Sequence, residues 1–256
     1  MARKTTIPRQ NILFPWIDAL AVTSWGILML QYWVSGKLYL LIHPNFFGLV
    51  IGCGIAFVII GVLKMREIWR LRRRRVDTSN LQHMNLFPPG WGSALLLFVA
   101  ILGLMITPRV FASDTAMQLG VTDLLSTGRA QPQSFRPSTR PEERSLVDWA
   151  RTLNVYPEPD SYTGQDAKVQ GFVIHPPDIG EDYVFLARFV LTCCAADAYP
   201  VGLPVKLPEN QKRYPPDTWL EVEGKMITET LAGKRNLTIA ATAIKEIPQP
   251  RNPYSY

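Results

Sequence analysis

Two adjacent cysteines, Cys193 and Cys194, sit in the stretch LTCCAADAYPVGL, with Asp197 three residues beyond the second. Thiolates are soft ligands and a carboxylate is a hard one, so this set suits a soft or borderline cation such as Zn²⁺ or Cu⁺. His175, followed by Pro176 and Pro177 on a different predicted turn, is the residue that could complete the shell. The expected metal set is therefore Cys193, Cys194, Asp197 and His175. Two other uses of the same thiols compete with it. One is a redox pair outside the cytoplasm, where oxidation is permitted. The other is packing, with one Cys as a small buried hydrophobe and its neighbour under the turn. Geometry limits all three. Successive side chains on a regular strand point to opposite faces, so both sulfurs reach one ion only if the strand breaks at Cys193-Cys194. Neighbouring Cα atoms lie about 3.8 Å apart, below the usual disulfide span, which makes a vicinal disulfide strained and easily reduced. The Ala-Ala-Asp-Ala-Tyr-Pro that follows favours a break.

Little else has the spacing of a catalytic site. The chain of 256 residues has three Cys and three His. Cys53 lies in an apolar run, and no C-x-x-C pair suggests a zinc ribbon. His43 and His83 flank the second apolar run on opposite sides, so neither can join His175. There is no G-x-S-x-G, phosphate-cradling loop or paired-carboxylate site, and a binding role is expected rather than an enzyme. Arg188, between Ala187 and Phe189 in an otherwise apolar strand, is expected either to pair with an acid such as Asp197 and order the turn, or to face outward.

The elements that must position these residues follow from the period of the sequence. Leu146, Val147, Trp149, Ala150 and Leu153 recur near helical spacing before Pro157, which predicts one short amphipathic helix. After Gly164 the period becomes two. AKVQGFVI, YVFLARFVLT, YPVGLPVKL, TWLEVEGKMIT and NLTIAATAIKEI read as five strands separated by Pro, Gly and Asp turns. Five strands in so short a stretch suit a small five-stranded OB-like β-barrel over residues 145–256, because closure removes exposed edges. Gly171, Gly202 and Gly224 are expected bends or bulges. Such a barrel can bind oligonucleotides, but Phe172, Tyr183, Phe185, Phe189 and Trp219 mostly alternate with polar neighbours as core residues do, and this half is acidic. Nucleic acid is not an expected partner.

The first half differs in composition. Residues 1–110 hold twelve Lys/Arg against three acids, whereas residues 111–256 hold fifteen against eighteen. The basic residues flank apolar runs, and three transmembrane helices are expected at about 12–34, 46–63 and 91–107. Seven Lys/Arg fall in residues 64–75, and Arg3, Lys4 and Arg9 precede the first run, while the loop between the first two has only Lys37. Positive residues stay in the cytoplasm, so the N-terminus is expected inside and the C-terminal domain outside, in a multi-pass cell-membrane protein. A signal peptide is a poorer reading of the first run, which is too long and lacks a clean cleavage site. The Arg run 72–75 reads as a topology anchor ahead of a lipid or nucleic-acid patch. Gly48 and Gly52 form a G-x-x-x-G, and with Gly54 and Gly61 they allow close helix approach, to the other spans or to a separate membrane protein. Asp18 is expected at headgroup level. Residues 111–144, rich in Ser, Thr, Gln and Pro, read as a linker.

The stretches GFVIHPP, FLARFVLTCCAADAYPVGLPV and DTWLEVEGK, preceded by VDWARTLNVYPEPDSYTGQ, resemble the C-terminal domain of the YcgQ-like membrane proteins over about residues 145–225. That resemblance implies an accessory role beside a separate multi-span permease in the same membrane. It implies no substrate, catalytic residue or metal. The expected function is an accessory permease subunit whose outer domain docks on the partner and binds or hands over a metal ion. A stand-alone membrane-tethered thiol sensor or redox domain is the reading from another class.

Overall fold

The first apolar run folds as α1, Leu13–Val34, and the second as α2, Phe47–Arg73, in a computed structural model that describes residues 13–73, 90–120 and 140–256. Both helices exceed the roughly 20 residues needed to cross hydrocarbon at 1.5 Å per residue. The third run forms α3, Trp91–Met105, of only 15 residues. Two long apolar helices are therefore found where three spans were expected. The backbone limits α3 at both ends: Gly90 enters it in the left-handed region at φ 88°, and Ile106 is already extended, two residues before Pro108. Its length of about 22 Å falls short of a roughly 30 Å core.

Glycine decides how α1 and α2 meet. A methyl group on Gly26 would stand 2.7 Å from the Gly54 carbonyl oxygen, and one on Gly61 would stand 2.0 Å from Thr23 Oγ1. Either would force the helices apart. Gly48 and Gly52, the G-x-x-x-G pair, face open space instead. The α3 helix is tied to α1 by Tyr32, whose hydroxyl donates to the Gly103 carbonyl at 2.6 Å, and by Trp25, whose indole donates to Leu96 at 3.0 Å. Leu49, Leu95 and Phe98 remain exposed on these helices. Arg3, Lys4, Arg9, Arg74, Arg75, His83 and residues 121–139 of the expected linker lie outside the described residues.

The second compact unit comprises Arg109–Tyr256 together with Tyr39–His43 from between α1 and α2. It contains α4, Ser113–Gln118, and α5, Leu146–Val155, followed by β1 (Asp166–Ile174), β2 (Tyr183–Val190), β3 (Tyr199–Lys206), β4 (Trp219–Leu231), β5 (Lys234–Glu246) and β6 (Tyr254–Ser255). The expected linker thus begins with a helix. It is held by the Ser113 N–H, which donates to Asp217 at 2.6 Å, and by the Phe111 N–H, which donates to the Tyr254 hydroxyl at 3.2 Å. Both partners are far away in sequence, which is why local composition missed it.

The α5 helix starts at a reciprocal cap, where the Asp148 N–H donates to Ser145 Oγ at 3.2 Å and the Ser145 N–H donates to Asp148 at 3.1 Å. Its buried face sets Leu146 and Trp149 among Val169, Val173, Leu186, Val222 and Ile239. The sheet is mixed and has six strands rather than five, in the order β1-β4-β5-β3-β2-β6. The sixth, only two residues long, runs parallel to β2 and is too short to leave a periodic signal. A further pairing of β1 with β2 closes the other five nearly into a ring. Phe172 is where β1 changes partners, pairing with Trp219 on one side and Ala187 on the other. Gly171 precedes it because a Cβ there would lie 2.6 Å from the Ala187 carbonyl oxygen. The turn expected over ETLAGKR contracts to Ala232 and Gly233, both at positive φ, so β4 and β5 run further than their patterns suggested. Phe172, Phe185, Phe189 and Trp219 are buried with Tyr254 in a second cluster, which Phe111 joins.

Candidate functional site

The strand β2 carries the chain to the thiols and then stops. Leu191, still buried, donates its N–H to Ser255 at 2.9 Å. The next residues leave the sheet, and Ala195–Asp197 form a single 3-10 turn capped by Cys194. Asp197 makes this turn. Its carboxylate accepts the backbone N–H groups of Thr192 at 3.2 Å, Cys193 at 2.7 Å and Cys194 at 3.3 Å. Three donors that a continuing strand would have paired elsewhere converge on one anion. Burial pushes the Asp197 carboxyl up, but the Cys193 thiol and these three N–H groups together outweigh it and hold it below the usual carboxylate range.

The broken strand brings the sulfurs together. Cys193 Sγ and Cys194 Sγ lie 3.6 Å apart, both as free thiols, with Cys193 exposed and Cys194 half-buried. An exposed Cys193 does not serve packing. The Asp197 carboxylate beside it, and then the Cys194 sulfur to which the Cys193 thiol donates at 3.6 Å, push the Cys193 thiol up to about 11. Disulfide exchange and metal ligation both use the thiolate, so either chemistry must first remove this proton.

The other expected ligand is elsewhere. His175 follows β1, whose last residue, Ile174, pairs with Phe185 near the start of β2, whereas the cysteines follow the end of β2. The intervening eight residues of strand correspond to about 26 Å. His175 Nε2 donates to the Tyr214 carbonyl at 2.8 Å. Among the described residues, no three His, Cys, Asp or Glu side chains are arranged to hold one metal ion. Arg188 takes neither expected position. It donates to the carbonyls of Asn252 at 3.0 Å and Pro253 at 3.4 Å and lies over the Trp219 ring at 5.7 Å. Burial lowers its pKa, and the carbonyls of the chain ahead of β6 replace the acid that was expected.

One neighbour of the thiols was missed in the sequence. Ile42 forms an antiparallel bridge with Cys194. Its two hydrogen bonds run from the His43 N–H to the Cys193 carbonyl at 2.9 Å and from the Ala195 N–H to the Leu41 carbonyl at 2.8 Å. The expected topology already put the loop between the first two apolar runs on the same side as the C-terminal domain. That shared side is the one sequence signal consistent with this loop meeting the cysteine turn.

No curated protein and no solved structure is matched by the chain. Residues 143–256, which carry all six strands and both adjacent thiols, match the DUF1980 C-terminal domain family.

Proposed function

We propose that this chain is a membrane-anchored accessory subunit of a multi-span permease, and that Cys193 and Cys194 take up and hand over a borderline metal cation, Zn²⁺ ahead of Cu⁺. The observation that carries the reading is the 3.6 Å between the sulfurs. Two thiolates at 2.3 Å from a tetrahedral Zn²⁺ are about 3.8 Å apart, whereas a linear Cu⁺ would separate them by roughly 4.6 Å. The Asp197 carboxylate beside them orders the turn, so the two sulfurs are the preformed part of the site. A cation held by two protein sulfurs at an exposed turn keeps positions open, as a hand-over site requires and a closed structural zinc site does not.

Two long apolar helices support membrane anchoring. Residues Tyr39–His43, between those helices, belong to the same unit as the C-terminal sheet, which supports one side of the membrane for both. The seven Lys/Arg of residues 64–75 favour the cytoplasm for the opposite side. The nearly closed circuit of β1, β4, β5, β3 and β2 supports an OB-like barrel. The permease partner rests on the YcgQ-like resemblance, and the role is one of binding rather than catalysis. The full chain, purified in mild detergent without chelators, is expected to carry about one zinc per chain, lost in Cys193→Ser/Cys194→Ser. A folded, metal-free wild type that takes up no added Zn²⁺ overturns the metal reading. Recovery always without a multi-span companion overturns the accessory role.

A further inference from the structure

The peptide that joins Cys193 to Cys194 is hydrogen-bonded on both edges. Its carbonyl accepts the His43 N–H at 2.9 Å, and its N–H donates to Asp197 at 3.3 Å. The carbonyl bond is one of the two that make the bridge between Ile42 and Cys194. The sulfurs flanking this peptide are free and 3.6 Å apart, and Cys193 is exposed. A disulfide needs about 2.05 Å between sulfurs and about 3.5–4.5 Å between Cβ atoms. Neighbouring Cα atoms are held about 3.8 Å apart by the peptide itself, so closing so small a ring turns that peptide out of its present bonds. We infer that Cys193 and Cys194 close reversibly to a vicinal disulfide, which shuts the cation site and releases Leu41–His43 from its bridge. The disulfide stands on the geometry alone, whereas the shutting of the cation site rests on the two-thiol reading above.

The oxidant is an external disulfide, R–S–S–R. Cys193 loses its proton to solvent and attacks one sulfur of it, that S–S bond breaks, and R–S⁻ leaves and is protonated by solvent. Cys194, also as the thiolate, then attacks the Cys193 sulfur, and the second R–S⁻ leaves. Two protein thiols are oxidised and one external disulfide is reduced to two thiols. The thiolates that would ligate a cation are consumed, so the oxidised turn has no soft ligand left to offer. The short Cα separation strains the bond, and a strained, exposed disulfide is easily reduced, which is the property of regulatory rather than structural ones. On the extracytoplasmic side proposed above, oxidation of thiols is permitted. Leu41–His43 belongs to the chain between α1 and α2, so that connection is held or freed according to the redox state of the turn.

The test uses the full chain in mild detergent, freed of metal, with oxidised glutathione at mildly alkaline pH as the probe. Mass spectrometry is expected to show the peptide containing both cysteines lighter by two hydrogens, with no glutathione retained, and restored by dithiothreitol. Cys194→Ser is expected to keep glutathione on Cys193. The oxidised chain is expected to take up no added Zn²⁺ and to exchange the His43 N–H at least about tenfold faster than the reduced chain. A glutathione adduct retained by the wild type, a dimer linked through Cys193, or two unreacted thiols overturns the vicinal disulfide and leaves the two-thiol cation site standing. Unchanged exchange at His43 overturns the release of the bridge. Zn²⁺ bound equally before and after oxidation overturns the shutting of the site. A reduced chain that binds no Zn²⁺ overturns the two-thiol reading and leaves the disulfide standing.

Discussion

At the start of β2 the sheet turns a corner beside His175, whose ring is committed to the Tyr214 carbonyl. At the other end the strand stops at Leu191, and the Asp197 carboxylate gathers three N–H groups so that two thiols emerge on one side. Both ends are turns with titratable side chains, yet they use them in opposite ways. In the first, the polar side chain satisfies a backbone group. In the second, the acid satisfies the backbone and leaves the neighbouring thiols, one exposed and one half-buried, for other chemistry. A residue type able to bind metal is therefore a weak indicator until the fold's own hydrogen-bonding needs have been met.

The comparison is broken most sharply by removing the sulfurs. Cys193→Ser/Cys194→Ser is expected to lower Zn²⁺ affinity more than a hundredfold in a chelator competition, while His175→Gln changes it less than twofold. Equal losses in the two variants would erase the distinction between the ends.

Next in size is the effect of pH on Cys193. With its value pushed to about 11 from an ordinary 9.0, alkylation by iodoacetamide at pH 8 is expected to be about a hundredfold slower than for an ordinary thiol. The sign follows from linkage: a raised folded value contributes stability below the usual thiol range, and this is lost as pH rises through about 11. Mass-resolved alkylation of the metal-free protein across pH 7–11 checks it, and Asp197→Ala should move the midpoint down.

Smaller again is the cost of Asp197→Ala, expected at about 1–2 kcal/mol as for a lost cap, read as a fall in melting temperature. Since the folded carboxyl titrates below its usual range, this contribution is present above that range and fades as pH falls through the folded value, so the variant should lose part of the wild type's acid sensitivity. The smallest change is His175→Gln, which exchanges one hydrogen bond for another and should cost less than about 1 kcal/mol. A larger loss there would mean that the corner supports more of the sheet than its one bond suggests.

Much of the fold was legible from local signals. The helical spacing of Leu146, Val147, Trp149, Ala150 and Leu153 marked α5, period two marked five strands to within a few residues, and the long apolar runs marked α1 and α2. Errors arose where a partner lay far away. Arg188 reads as an ion-pair residue until the carbonyls of Asn252 and Pro253 are beside it. The two residues of β6 have no pattern of their own, and α4 depends on Asp217 and Tyr254.

By itself the sequence favoured a break of the strand near Cys193-Cys194. An acid three residues past Cys194, followed by Ala-Tyr-Pro, offers the backbone a cap in place of a ladder, and that choice is local. It also determined the thiols and their adjacency. Which histidine's backbone meets theirs was decided only by tertiary structure. His175 is 18 positions from Cys193 and His43 is 150, yet the nearer one is carried to the far end of β2, while the backbone of the distant one is bonded to Cys193 beside the bridge formed by Ile42. Strand direction and register set proximity in a sheet, and neither is written in the spacing of the residues they bring together.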